Sequence, residues 1–252
     1  MPRTVNDDDL LAVLTEAAAA VTTALGAVAD WGLAGTVPGQ HHSDLAADRA
    51  AVAVLTGAGL GVLSEESGRH HPGRPVTVVL DPLDGSTNAA QGLPWHAASL
   101  CAVDADGPRV ALVLDLVHHT RYQARRGGGA SRDGIAITAS GPEELSAAII
   151  GVNGLPARHF GWNQFRALGA AALDLCAVAD GRLHGFVDCT DDGLAPWDYL
   201  GGLLVCREAG ATVVDLEDRR LDDLDDPARR TIVAGATSAL AGELRRARAR
   251  AF

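Results

Sequence analysis

Two aspartates three residues apart stand in a run of turn-forming residues, Asp81-Pro82-Leu83-Asp84-Gly85-Ser86-Thr87-Asn88. The residues before them, Val76-Thr77-Val78-Val79-Leu80, form a β-branched apolar run of the kind that makes a buried central strand. Pro82 cannot extend a central ladder, so the chain is expected to turn there. Gly85 supplies backbone freedom, and Ser86, Thr87 and Asn88 open a helix whose free N–H groups face an anion. Carboxylates held this close repel each other, and a bound cation is the simplest remedy. Ligands that are all oxygen point to magnesium or manganese rather than zinc. The alternative is an Asx-type turn with ordinary capping.

Other carboxylates repeat the theme more weakly. Glu65-Glu66-Ser67 follows a short strand at 62–64. Asp44 and Asp48 lie four apart and share one helix face. Asp198 falls in the first turn of a helix opened by Trp197-Asp198-Tyr199-Leu200-Gly201-Gly202. Taken singly, each of these reads as solvated surface or a cap.

The elements that must position these residues follow from periodicity. A long helix is expected over 7–29, a Gly/Pro/His loop over 35–43, and a second helix from Asp44 to about Leu55. Strands are expected at 62–64, 76–80, 95–103, 109–117, 121–124 and 135–138, with a hairpin at Asp104-Ala105-Asp106-Gly107 and a turn at Gly127-Gly128-Gly129. A polar stretch at 139–145 marks a boundary. Beyond it the pattern alternates: strand 147–152, helix 162–178, strand 183–188, helix 196–209, strands 211–216 and 231–235, helix 237–250. The fold class is therefore α/β (α+β), with an N-terminal α+β half over 1–140 and a C-terminal α/β half over 141–252. The first half carries most of the candidate ligands, and the second carries Asp198.

Composition excludes several chemistries. The chain has 252 residues, a net charge of −11 and 47% hydrophobic residues. All 21 cationic residues are Arg, so a Lys Schiff base and a Gly-Lys-Ser/Thr phosphate loop are ruled out. The acidic balance argues against nucleic acid and anionic membranes as partners. No uninterrupted apolar run reaches the length of a membrane span, and the N-terminus does not read as a secretory signal. The four scattered cysteines (Cys101, Cys176, Cys189, Cys206) read as buried reduced thiols, and the expected location is cytoplasmic. Gly57-x-Gly59-x-Gly61 precedes a strand rather than opening a helix, so it is no dinucleotide fingerprint. The acidic runs at 188–193 and 222–226 read as loop and solvated surface.

Together, Glu65-Glu66-Ser67, Asp81-Pro82-Leu83-Asp84-Gly85-Ser86-Thr87 and the later Trp197-Asp198 resemble the inositol monophosphatase family. Arg166-Ala167-Leu168-Gly169-Ala170-Ala171-Ala172, Glu208-Ala209-Gly210-Ala211 and Gly128-Gly129-Ala130 with Asp133-Gly134 match further elements in the right order. The resemblance spans about 40 to 235 and implies a layered α-β-α-β-α sandwich. It also implies two or three magnesium ions, with manganese a possible substitute. Their ligands would be Glu65, Asp81, the Leu83 carbonyl, Asp84 and Asp198. Glu65, paired with the Ser86 hydroxyl, would orient the attacking water, and Asp48 would sit just outside the first metal. Substrate contacts would come from Asp84, Gly85, Ser86, Thr87, Gly169, Ala171 and Asp191, with Asp192 the alternative to Asp191.

The implied activity is hydrolysis of a small phosphate ester, inositol 1-phosphate foremost, by a homodimer. Fructose 1,6-bisphosphate, histidinol phosphate and 3′-phosphoadenosine nucleotides are the same-fold alternatives. From another class, a catalytically silent metal- or phosphate-binding regulator would be expected to have lost a ligand. The departures lie on the substrate side. Asp44-Leu45-Ala46-Ala47-Asp48 is shorter than the family's motif and lacks its Thr, and Ala170 replaces a Ser.

Overall fold

The computed structural model describes residues 5–35, 39–224 and 228–250. The loop at 35–43 and the acidic run at 222–226 therefore lie partly outside the described residues.

Helix α1 (Asp7–Gly26) starts where Asn6 Oδ1 accepts from the Asp9 amide at 2.8 Å, with Asp7, Asp8 and Asp9 in the first turn. That placement suits the positive end of the helix dipole. Its stripe of Leu10, Leu14, Ala17, Val21 and Leu25 is buried, and α1 packs on α2 (His42–Gly57) and on the first of two sheets. By length and composition α1 is apolar enough to cross a membrane, yet this stripe forms part of the core. The helix ends at Gly26, short of the expected 29.

The first sheet has eight strands in the order β2-β1-β3-β4-β5-β6-β7-β8. They are β1 (Gly61–Ser64), β2 (Gly68–His70), β3 (Thr77–Asp84), β4 (Ala97–Asp104), β5 (Gly107–Asp115), β6 (Arg121–Arg125), β7 (Gly129–Arg132) and β8 (Ile135–Ile137). Only β1 and β3 pair in parallel; the rest form an antiparallel meander. The second sheet runs β10-β9-β11-β13-β12. Its strands are β9 (Ile149–Asn153), β10 (Gln164–Arg166), β11 (Gly185–Asp188), β12 (Thr212–Asp215) and β13 (Ile232–Gly235). β9, β10 and β11 are parallel, whereas β13 runs against both β11 and β12.

Helices α4 (Ala171–Ala179) and α5 (Pro196–Glu208) pack against both sheets, and α6 (Ser238–Ala249) covers the outer face of the second. One core cluster lies under α1 and α2, a larger one surrounds α4 and α5, and a third lies under α6. The layers are thus α-β-α-β-α, as expected. Among the described residues all four cysteines are buried and unpaired.

Three expectations change. β3 does not turn at Pro82 but continues to Asp84 through a register shift between Asp81 and Asp84. A bulge is a place where a residue without an N–H is tolerated, because the extra residues leave the ladder. Helix 162–178 is instead strand β10, a turn and the shorter α4. Gly169 sits there at φ +84°, a left-handed conformation that no helix interior contains. Strands β2 and β7 are too short and polar to carry a two-residue pattern.

Candidate metal and phosphoester site

The site begins with the bulge in β3. Asp81 is buried beside β1, and its Oδ1 accepts from the Leu83 amide at 3.0 Å. The bulge brings Asp84 to the end of the same strand, also buried. Asp84 Oδ2 accepts from the Ala172 amide at 2.7 Å, at the start of α4. Glu65 directly follows β1, which pairs in parallel with β3. Asp198 is the third residue of α5, and its Oδ2 accepts from the Ala195 amide at 2.7 Å at the start of the helix. Glu65, Asp81 and Asp198 each offer an oxygen within 4.8 Å of the others.

Close glycines set this geometry. A Cβ at Gly201 would lie 2.5 Å from Ser99 Oγ on β4, and one at Gly202 would lie 2.6 Å from Leu175 Cβ on α4. Both α4 and the first sheet therefore approach α5 as closely as backbone permits, which carries Asp198 to β3. Gly85 has φ +83°, and a Cβ there would meet the carbonyl oxygens of Trp95 at 3.0 Å and Gly169 at 3.1 Å. Asn88 fastens the same junction, donating to the carbonyls of Trp95 at 2.8 Å and Leu168 at 2.7 Å.

The electrostatics are those of an acid cluster without its counter-charge. Burial, followed by the carboxylates of Glu65, Asp84 and Asp198, holds Asp81 well above the usual carboxylate range. Burial and then Asp198 do the same to Asp84, against the Ala172 amide. Desolvation by the surrounding protein, then Asp198, Glu66 and Asp44, push Glu65 up to about 8, although it keeps solvent access. Its carboxyl is close enough to share a proton with Asp81. Asp198 is pushed up to about 6 by burial, against the Ala195 amide and Arg229. These oxygen donors fit a hard divalent cation, which would remove the repulsion.

Above the carboxylates opens a cavity of about 420 Å³, lined by Gly39, Gln40, Asp44, Glu65, Glu66, Ser86, Trp197 and Arg229. Its size lies within the usual range for small-molecule sites. Glu65 and Ser86 thus line one cavity, but Ser86 makes no hydrogen bond to Glu65. Nor does it cap helix α3 (Ser86–Ala90), whose N-cap is Gly85. Thr87 is exposed at the first turn of α3. Gly169 and Ala171 lie at the α4 entrance, beside Asn88 and Asp84.

Asp48 and Asp44, four apart on one face of α2, make different contacts. Asp48 Oδ1 accepts from Ser64 Oγ at 2.5 Å and Ser67 Oγ at 3.1 Å, so it braces the turn that presents Glu65. Asp44 accepts from the His41 amide at 2.7 Å through Oδ2. Its Oδ1 is buried with no partner. Asp44 starts α2 as expected and also lines the cavity, on the helix face that its four-residue spacing from Asp48 indicates.

The expected substrate contact Asp191 is instead salt-bridged to Arg248 at 2.6 Å, and Asp192 to Arg219 at 2.6 Å. Neither lines the cavity. Asp188, at the end of β11, bears on Asp198. Its Oδ1 accepts from Asn153 Nδ2 at 3.0 Å and the Thr190 amide at 2.9 Å, and its Oδ2 is buried without a hydrogen-bond partner. The sequence alone puts Asp188 at the head of an acidic loop, although a carboxylate at the end of a buried strand is the signal that marks Asp81.

Comparison with known proteins places this geometry. Residues 43–251 match the inositol monophosphatase family. Nus factor SuhB of Salmonella typhimurium is 36% identical over 170 residues, covering 61% of this chain and 62% of that protein. The match thus spans less than two thirds of that relative's length. The fructose-1,6-bisphosphatase/inositol-1-monophosphatase of Archaeoglobus fulgidus is 36% identical over 199 residues, covering 76% of this chain and 77% of that one. A solved Pyrococcus horikoshii protein, described as having similarities for inositol-1 monophosphatase, superposes with a TM-score of 0.82 at 26% identity, covering 95% of this chain and 96% of its own. With a sequence match running from the second helix to the last, on a shared fold, the kinship is plain: this chain belongs to the inositol monophosphatase family.

Proposed function

We propose that the chain is a magnesium-dependent phosphomonoesterase acting on a small phosphorylated polyol, with inositol 1-phosphate its first candidate substrate. The observation that carries this reading is the convergence of Glu65, Asp81 and Asp198 on one spot beneath an open cavity. Family membership supports it, and so does the retention of every expected carboxylate, which a silent metal-binding regulator has no need to keep. Glu65, Asp81, Asp84 and Asp198 would hold the ions, with the Leu83 carbonyl beside them. Magnesium bound there supplies charge neutralisation, a clamp on the phosphoryl oxygens and a more acidic water.

The chain's own groups do the rest. Glu65, at the cavity wall, is placed to take a proton from water. Ser86 lines the same cavity as Glu65 and Asp44, whose Oδ1 has no partner, so its hydroxyl can donate to either and fix the orientation of that water. The amides of Gly85 and Ser86, at the start of α3, would hold the phosphate. Asp188 bears on Asp198 from the end of β11, whereas Asp191 is tied to Arg248. Gly85 also packs against Gly169 and Ala170 just before α4, beside Asp84. The test is phosphate release from a panel of inositol, hexose, histidinol and 3′-nucleotide phosphates, with magnesium and with chelator. Release that needs magnesium and is fastest on a polyol phosphate supports the reading; no release from any ester refutes it.

A further inference from the structure

The stretch from Asp84 to Trp95 carries Gly85, Ser86 and α3. Its two ends meet in the first sheet, where Asp84 pairs with Ala97 at the start of β4. Three hydrogen bonds tie this loop to α4 and the turn before it. Asp84 Oδ2 accepts from the Ala172 amide at 2.7 Å, and Asn88 Nδ2 donates to the Leu168 carbonyl at 2.7 Å. The third tie stands at the far end of the loop, where the Trp95 indole Nε1 donates to Asp174 Oδ1 at 3.0 Å. Every residue of α4 is buried, and Asp174 is 1% exposed. An acid in that apolar setting carries a cost that a leucine would not. Burial pushes its carboxyl up to about 8, against the indole and Arg182. What the acid supplies in return is an acceptor for the indole.

The indole is held on its face as well as its edge. Arg182, just beyond the last turn of α4, lies 5.5 Å from the Trp95 ring centroid, within cation–π reach. Asp180 holds that guanidinium at 2.9 Å and also accepts from the Tyr122 hydroxyl at 2.9 Å. The backbone of Trp95 completes the loop. Its carbonyl accepts from Asn88 Nδ2 at 2.8 Å and lies 3.0 Å from the place a Cβ on Gly85 would take. An indole released from Asp174 lets that backbone shift, and with it the carbonyl on which Asn88 and Gly85 are seated.

Resting on the proposed reading of the site, we infer that Asp174 is a positioning residue, which through the Trp95 indole seats the loop whose Gly85 and Ser86 amides would hold the phosphate. Asp174 is not among the described residues that line the cavity, so it acts on the ester only through that loop. Weaker seating loosens the grip on phosphate in the bound ester and in the transition state alike, which is a loss that falls on KM.

The test follows hydrolysis of inositol 1-phosphate, or the fastest ester of the same panel, with inorganic phosphate as competitor, on the full chain with magnesium. Asp174→Leu leaves the indole donor unsatisfied, and Trp95→Phe removes the donor. Each should raise KM and the phosphate inhibition constant together, on the order of 10-fold. The double variant should be no worse than the poorer single, because both break one tie. Asp174→Asn keeps an acceptor for the indole and should stay close to wild type. The magnesium concentration for half-maximal turnover should not move. Unchanged constants in Trp95→Phe, losses that multiply in the double variant, or an Asp174→Asn as impaired as Asp174→Leu would each overturn the inference. So would a change confined to the magnesium requirement, which would make Asp174 a charge acting directly on Asp84. Trp95→Phe carries the test if Asp174→Leu does not fold. A thermal-shift arm separates the two claims. If no ester is hydrolysed, the functional reading fails. Asp174 still stands as a positioning residue if inorganic phosphate with magnesium raises the melting temperature of wild type and Asp174→Asn more than that of Trp95→Phe, and falls if the three respond alike.

Discussion

Asp81 is costly to the empty protein, since it is buried among like charges. Asp81→Asn keeps the Leu83 amide satisfied through the remaining carbonyl oxygen and removes the repulsion. The metal-free variant should therefore melt above metal-free wild type while hydrolysing no ester; a lower melting temperature in chelator would contradict this account of the cluster. Ser86 separates along a different line. If its hydroxyl orients water, Ser86→Ala should lose roughly 10²–10⁴-fold in turnover with its melting temperature nearly unchanged, because Gly85 and not Ser86 caps α3. Ser86→Thr should retain activity. Unchanged turnover in Ser86→Ala would remove the residue from the mechanism. At this scale the ligand carboxylates were legible because residue type and spacing identify them. The division of labour between Asp44 and Asp48 was not. Four-residue spacing puts both on one face, and only the packing of Ser64 and Ser67 on Asp48 decides which of them turns to the cavity.

The elements matter through how closely they approach. α5 carries Asp198 and packs against α4, whose first amides hold Asp84, and Gly202 sits at their contact. Gly202→Ala should cost on the order of 1–3 kcal/mol by overpacking and lower turnover as well, since α5 with Asp198 moves away from α4, whose Ala172 amide holds Asp84. Circular dichroism melts together with phosphate release check this; a destabilised variant with full turnover would show that the ligand geometry tolerates the shift. Gly85→Ala adds a left-handed strain of about 1–2 kcal/mol to contacts with the Trp95 and Gly169 carbonyls, and should be the more damaging of the two. Long helices such as α1 and α5 and the buried strand β3 were readable from periodicity. The continuation of β3 past Pro82 was not, because a bulge follows from cross-strand register with β4 rather than from local sequence. The same holds for α4, which is cut short by a left-handed Gly169 that faces Asn88, far away in the chain.

For the whole molecule, the acid cluster couples stability to pH and metal. Acids whose folded pKa is raised hold protons that the unfolded chain has released, so stability falls as pH climbs from the unfolded to the folded value. Glu65 and Asp174, both raised to about 8 chiefly by burial, act across the interval up to pH 8. His96 and His184, lowered by burial, oppose them only below their ordinary value of 6.5. The metal-free protein should therefore lose melting temperature between pH 6.5 and 8, at about 3 °C per kcal/mol for a chain of this size. Magnesium should raise it more at pH 8 than at pH 6.5, because ligation needs the carboxylates deprotonated. A flat or rising melting temperature in chelator over that interval would show that these acids are not held protonated. The mixed α/β class was legible from the change of pattern along the chain and the layering from the family resemblance, but how the layers meet was not, since small residues such as Gly85 and Gly202 carry that contact and leave no periodic trace. The central claim, that Glu65, Asp81, Asp84 and Asp198 form one cation site serving phosphoester hydrolysis, is tested most directly by phosphate release from inositol 1-phosphate against magnesium concentration, for wild type and Asp81→Asn. The account predicts a saturable magnesium requirement in wild type and no recovery of Asp81→Asn at any magnesium concentration; turnover without magnesium, or near-normal turnover of the variant at saturation, would contradict it.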